Sequence, residues 1–268
     1  MLKERRGKFM DKYDCINLDK NALHDGYLVL VNRHNPLRQE GKDYENGLAA
    51  RRGLLLEKTC MQNLTALIED IRATDKITGV SGFRSRQEQE KLYNDSLTEN
   101  GELFTSRYVA RPGQSEHETG LAVDLAVAGG DGDFIRPSFP NEGAGKSFRR
   151  LAARYGFIER YKEGKEHITG IAAEPWHFRY VGYPHAALMD SMGLCLEEYT
   201  EYLRWHPFEG KHLFHDMGEI LAEIYYTPAY AATTTVPVLK DASYQVSGNN
   251  LDGFVITVFH TRRSEKGA

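Results

Sequence analysis

The stretch Gly113-Gln114-Ser115-Glu116-His117-Glu118-Thr119-Gly120-Leu121-Ala122-Val123-Asp124-Leu125-Ala126-Val127 decides the reading of this chain. It opens as a polar turn and runs into a short apolar segment of the kind that forms a buried strand. Asp124 lies inside that segment, where a carboxylate is costly unless it is paired, hydrogen-bonded or bound to a metal. His117 precedes it by seven residues, in the turn. Gly120 gives the turn the freedom to fold back over the strand, so the imidazole and the carboxylate can approach one cation.

Working toward the N-terminus, Ile77 to Phe83 reads as a strand that ends in Ser81-Gly82-Phe83-Arg84. A polar helix follows from Ser85 to Tyr93, with Ser85 as N-cap and Glu88 three residues on. Leu54, Leu55, Cys60, Leu64, Leu67, Ile68 and Ile71 recur at helical spacing and predict an amphipathic helix from Gly53 to about Ala73. Tyr27 to Asn32 is a β-rich run, and residues 1–25 read as a polar lead-in.

Working toward the C-terminus, residues 129–145 are rich in Gly, Asp and Pro and read as a loop. A helix is expected from Phe148 to Tyr155, ended by Gly156, and another over residues 184–205. Between them lies a second β-rich stretch, Trp176-His177-Phe178-Arg179-Tyr180-Val181. After about residue 210 come short β segments at Thr233–Val238, Tyr244–Val246 and Phe254–Phe259, separated by turn residues. The expected organisation is an α+β catalytic domain over 26–210 and a small β-rich extension over 211–268.

The 268 residues allow one large domain, or one ordinary domain with an appendage. With 41% hydrophobic and 27% charged residues, a disordered chain is excluded. Lys and Arg number 34 against 38 Asp and Glu, a net charge of −4. That balance lacks the positive field non-specific nucleic-acid binding requires. Cys15, Cys60 and Cys195 are scattered and form no CxxC pair, which argues against a disulfide framework or a thiolate metal site and for a reducing compartment. The charged start has no apolar segment of a signal peptide, and no window approaches the ~20 apolar residues of a membrane span. A cytoplasmic setting with no membrane span is the expectation.

Glu174-Pro175-Trp176-His177 supplies the remaining chemistry. His117, Asp124 and His177 offer two imidazole nitrogens and a carboxylate oxygen, suitable ligands for Zn²⁺, and three protein ligands leave a position for water. Pro175 excludes a helix interior, so this is not a helical HExxH site. In a regular strand Glu174 and His177 would face opposite sides. Glu174 is therefore expected in an irregular segment before the strand, where it can act as general base. His24, His34, His206 and His212 read as structural histidines, as do His167 and His185 beside the second segment.

Three segments carry a family resemblance: Ser81-Gly82-Phe83-Arg84-Ser85, Ser115 to Asp124, and Glu174 to Gly182. In order and in residue type they resemble the S-G-[YF]-R-[ST], S-x-H-x-x-G-x-A-x-D and E-P-W-H signatures of the VanY/VanX zinc D,D-peptidases, most closely the bifunctional VanXY type. The likeness covers roughly residues 26–205. It implies a central, mostly antiparallel sheet flanked by helices, as in hedgehog-like zinc peptidases. It implies one Zn²⁺ held by His117, Asp124 and His177, Glu174 as catalytic base, and Arg84 beside the oxyanion. Ser115 and Gln89 resemble substrate-contacting positions, and Trp176 a wall of the site. The implied reaction is hydrolysis of D-Ala-D-Ala in the free dipeptide and at the end of UDP-muramyl-pentapeptide, in support of glycopeptide resistance. Other readings are an exported VanY-like carboxypeptidase, a peptidase of the L-Ala-D-Glu bond, or a non-catalytic zinc-containing module that binds cell-wall peptides. The last would need the ligands but not Glu174.

Overall fold

The structure is a computed structural model that describes residues 12–38, 47–129 and 133–262. Along the chain come β1 (Tyr13–Asp19), β2 (Leu48–Arg51), β3 (Leu54–Glu57), α1 (Lys58–Asp70), β4 (Ile77–Ser81), α2 (Arg86–Tyr108) and β5 (Ala122–Val127). Next are α3 (Gly143–Ala152), β6 (Phe157–Glu159), α4 (Glu166–Thr169), β7 (His177–Tyr180), α5 (His185–Met192) and α6 (Leu196–Leu203). The last strands are β8 (Leu213–Asp216), β9 (Ile220–Pro228), β10 (Thr233–Leu239), β11 (Ser243–Gly248) and β12 (Gly253–Thr261). The chain divides into two units, Val31–Glu197 on one hand and Met1–Leu30 with Glu198–Ala268 on the other.

In the first unit an antiparallel sheet runs in the order β4-β5-β7-β6. Its register matters more than its size. Ser81 of β4 pairs with Asp124 of β5, and Asp124 pairs with His177 of β7, so the three form one row across the sheet. Directly opposed residues of antiparallel strands share a face, which puts all three side chains on the same side. Their neighbours turn the other way, into the core. Leu125 is fully buried and lines one cavity with Met61 and Leu64 of α1 and Ile77 of β4. Phe178 is fully buried, with ring centroids 5.5 Å from Phe139 and 4.7 Å from Phe148 of α3.

Several elements differ from the sequence expectation. The helix predicted from Gly53 begins only at Lys58, because Arg52 and Gly53 take left-handed backbone and turn β2 into β3. Leu54 and Leu55 thus belong to a hairpin whose apolar residues also fit a helical period. Leu28 to Val31 is buried without being a strand, and Asn249 accepts from the Leu30 amide. The helix capped by Ser85 and Glu88 continues to Tyr108, with a kink at Gly101. Residues 184–205 form two helices, broken where Gly193 takes φ 66°. The loop expected over 129–145 ends at Gly143, where α3 begins, and residues 130–132 of it lie outside the described residues.

The second unit holds an antiparallel sheet in the order β11-β12-β9-β8 and a ribbon of β1 with β10. Its core gathers Leu23, Tyr225, Val236, Val238, Phe254, Ile256 and Val258. Strand β1 lies in the stretch read as a polar lead-in; its apolar residues Ile16 and Leu18 pack against this core. Strands β8 and β9 were not visible as strands in the sequence.

Replacing Phe178 tests the packing that fixes His177 from behind. Phe178→Ala is expected to cost about 3–5 kcal/mol in chemical denaturation, since a fully buried aromatic leaves an unfilled cavity.

Candidate metal centre and active site

Local sequence features place each side chain of the site in turn. His117 lies in a 3-10 turn, Glu116–Thr119, that ends at Gly120 with φ 70°. A Cβ at Gly120 would stand 2.8 Å from the Leu48 side chain and 3.0 Å from the Glu57 backbone nitrogen, so the turn needs glycine for space as well as conformation. Glu118 braces the same turn, accepting from the Gly113 amide at 2.6 Å and from Arg86 at 3.2 Å. The His117 imidazole then donates from Nδ1 to the carbonyl of Gly82 at 2.7 Å and directs Nε2 at Asp124 Oδ2, 3.1 Å away.

The Ser81-Gly82-Phe83-Arg84 segment supports that arrangement from the other side. A Cβ on Gly82 would come within 2.3 Å of the Leu55 carbonyl oxygen, and the Phe83 amide donates to that same oxygen at 2.6 Å. The close approach sets the carbonyl that orients His117. The Arg84 amide bonds the His117 carbonyl, while its guanidinium donates to Ser81 Oγ at 2.8 Å and Gln89 Oε1 at 2.6 Å. Gln89 is buried and donates onward to the Ala110 carbonyl.

Glu174 reaches the site through a turn. The His177 amide donates to the Glu174 carbonyl at 3.1 Å, closing a four-residue turn with Pro175 in its second position. The carboxyl thereby returns to the face of His177 with Oε2 3.8 Å from Nδ1. A straight strand would have separated them.

His177 Nδ1 lies 2.9 Å from Asp124 Oδ1. One buried carboxylate thus stands between two imidazoles. Burial alone would raise the Asp124 pKa, but His117 and His177 outweigh it and hold the carboxyl far below its usual range. Burial likewise opposes charge on His177, yet its hydrogen bond to Asp124 and the Glu116 carboxylate beside it push it up to about 9. His117 is lowered by burial. Glu174 rises to about 8, chiefly from burial, with Asp124 adding to the effect and His177 and Arg84 opposing it.

The donor atoms of His117, Asp124 and His177 lie within 4.8 Å of one another, and among the described residues these three are the cluster able to hold a metal ion. Two nitrogens and one carboxylate oxygen suit Zn²⁺. A divalent ion also answers the electrostatics, replacing the proton on His177 and favouring the ionised form of Glu174. The residues present fit the ion.

An open cleft of about 510 Å³ adjoins the cluster. Arg84, Gln89, Ser115 and Trp176 all line it, together with Glu174 and the three candidate ligands. Every site residue expected from the sequence is therefore brought to one place. Sequence reasoning missed Tyr161, which lines the cleft with its ring 4.9 Å from that of His177, and Glu116, buried between two arginines. A signal existed for the second: Arg179 interrupts the apolar run Phe178-Arg179-Tyr180-Val181 as Asp124 interrupts its own.

Residues 53–183 match the VanY family, described as D-alanyl-D-alanine carboxypeptidase. The bifunctional D-Ala-D-Ala dipeptidase and carboxypeptidase VanXYC of Enterococcus gallinarum is 38% identical over 179 residues, covering 66% of this chain and 94% of that protein. The chain belongs to the VanY family. The crystal structure of the vancomycin resistance D,D-dipeptidase VanXYg, in complex with a D-Ala-D-Ala phosphinate analogue, is 43% identical with a TM-score of 0.88, covering 92% of this chain and 99% of that one. A mutant of the D,D-pentapeptidase VanY from the VanB-type resistance cassette, in complex with Zn(II), is 31% identical with a TM-score of 0.54 over 65% of this chain and 98% of that one. The likeness to VanXYg thus extends past the family region into the C-terminal strands. No described helix is long and apolar enough to cross a membrane.

The raised His177 gives a pH prediction with a definite sign. Below about pH 9 the metal-free site holds a proton that the ion must displace, so zinc affinity should rise with pH, roughly tenfold per unit below that value. Calorimetry near pH 7 in two buffers of different ionisation enthalpy should count at least one proton released per ion bound.

Proposed function

We propose that this chain is a zinc D,D-peptidase that hydrolyses D-Ala-D-Ala, as the free dipeptide and at the C-terminus of peptidoglycan pentapeptide precursors, in support of glycopeptide resistance. The observation that carries the reading is Glu174 beside the cluster His117, Asp124 and His177, in a cleft also lined by Arg84. His117, Asp124 and His177 would hold one Zn²⁺. When bound, the ion supplies Lewis acidity, polarising a carbonyl and making water acidic near neutral pH.

The chain's own residues do the rest. Glu174 takes a proton from the attacking water on its carboxylate and delivers it to the departing amide nitrogen. Without the ion, burial raises this carboxyl to about 8, and a bound divalent ion would lower it toward the ionised form that accepts the proton. Arg84, fixed by Ser81 and Gln89, places positive charge where the oxyanion develops, with little reorganisation left to do. Ser115 and Gln89 would contact or position the substrate, and Trp176 would wall the cleft. A binding module would have no use for a buried carboxyl at this place. Cys15, Cys60 and Cys195 form no disulfide, in keeping with a reducing, cytoplasmic setting where such precursors are made.

Free D-Ala released from D-Ala-D-Ala and from UDP-muramyl-pentapeptide, with and without a chelator, tests the reading. Release from both, abolished by the chelator, is expected. Zinc-loaded protein that releases D-Ala from neither would end it, and release from the pentapeptide alone would make it a VanY-like carboxypeptidase.

Two variants test the roles. Glu174→Ala should keep its zinc and lose nearly all turnover. Arg84→Ala should lower turnover about 10²–10³-fold, the usual loss for one oxyanion donor. It should also move the acidic limb of the rate profile to higher pH, because Arg84 favours the ionised form of Glu174. An unmoved limb would show that Arg84 does not act on that carboxyl.

A further inference from the structure

Among the described residues, two of the buried side-chain atoms without a hydrogen-bond partner are Glu116 Oε2 and His177 Nε2. They face each other at 3.6 Å. A buried polar group left unpaired costs about 1–3 kcal/mol, so two such atoms pointing at one another are two halves of one interaction. A shift of several tenths of an ångström brings them to hydrogen-bond length.

The rest of Glu116 is held firmly. Its Oε1 accepts from Arg160 Nε and from an Arg179 Nη, each at 2.8 Å, and both arginines are fully buried. Arg160 in turn makes a two-pronged pair with Glu197, at 2.7 and 2.8 Å, and Asn32 donates to Glu197 at 3.1 Å. The Arg160 amide also donates to the His177 carbonyl, so the same arginine steadies the histidine's backbone. The network leaves one acceptor unused, and it faces the outer nitrogen of His177.

We propose that Glu116 is a positioning residue for His177, accepting its Nε2–H and thereby fixing the tautomer that offers Nδ1 to the ion. The two histidines would then ligate through different nitrogens. His117 turns Nδ1 outward to the Gly82 carbonyl and presents Nε2, whereas His177 turns Nε2 outward to Glu116 and presents Nδ1. The outer partner also differs in kind: a neutral carbonyl for His117, a carboxylate for His177. A carboxylate behind a ligating imidazole raises its basicity and fixes its plane. The inference rests on the metal-binding part of the proposed function and not on its hydrolytic part.

Long-range ¹H–¹⁵N spectra of the full chain, labelled at histidine and loaded with Zn²⁺, decide it first. His177 should show a metallated Nδ1 and a protonated Nε2 protected from exchange. Metallation of His177 at Nε2, or an Nε2 proton exchanging as fast as that of an exposed histidine, would overturn the proposal. Competition with a chromophoric chelator gives the second measurement. Glu116→Gln, with its fold verified by circular dichroism, should bind Zn²⁺ about 10–100-fold more weakly, as for other lost outer partners of metal-bound histidines. A folded variant within twofold of the parent would also overturn it. Should the variant not fold, the parent's spectrum alone decides. A parent that binds Zn²⁺ as described but releases no D-Ala refutes the hydrolytic reading and leaves this one intact.

Discussion

A carboxylate buried in the middle of a β-sheet is the constraint around which this site is organised. Asp124 occupies a position that its apolar neighbours Val123 and Leu125 assign to the interior. The energy of leaving such a group unpaired is far larger than the net stability of a domain can absorb. Its partners are two imidazoles, one from the preceding turn and one from the next strand. Each of those histidines must itself be oriented, and much of the nearby structure serves that end.

The signature segments read as parts of one arrangement. Ser81 stands in the same transverse row as Asp124 and His177 and anchors Arg84. Gly82 allows its backbone to press on β3, and its carbonyl holds His117. Gly120 closes the turn that brings His117 over the strand. Pro175 turns Glu174 back toward His177. None of these residue types is interchangeable with a neighbour of similar polarity, because each meets a geometric demand as well as a chemical one.

Electrostatics explains why the same cluster suits a cation and holds a carboxyl with a raised pKa beside it. Asp124 and the ionised Glu116 concentrate negative charge around His177, while the scarcity of water raises Glu174. A divalent ion satisfies the first tendency and tempers the second. Glu116, although buried, does not add an uncompensated charge, since Arg160 and Arg179 match it. The counter-charges of Glu116 therefore come from Arg160, just after β6, and Arg179 in β7, well away in sequence from the turn that carries His117.

The amino-acid sequence alone determined the chemistry: an acid in an apolar run, histidines ahead of it and far beyond it, and a carboxyl placed before a proline. It also determined the caps and turns that depend on neighbours, such as Ser85 with Glu88 and the breaks at Gly120 and Gly156. Only the tertiary structure decided that Asp124 and His177 stand opposite each other, that Leu54 and Leu55 belong to a hairpin, and that Tyr13–Asp19 pairs with Thr233–Leu239. It alone joined Glu116 to Arg160 and Arg179. Strand register and buried charge pairs are set by contacts between segments distant along the chain, and local propensity carries no record of which distant segment will arrive.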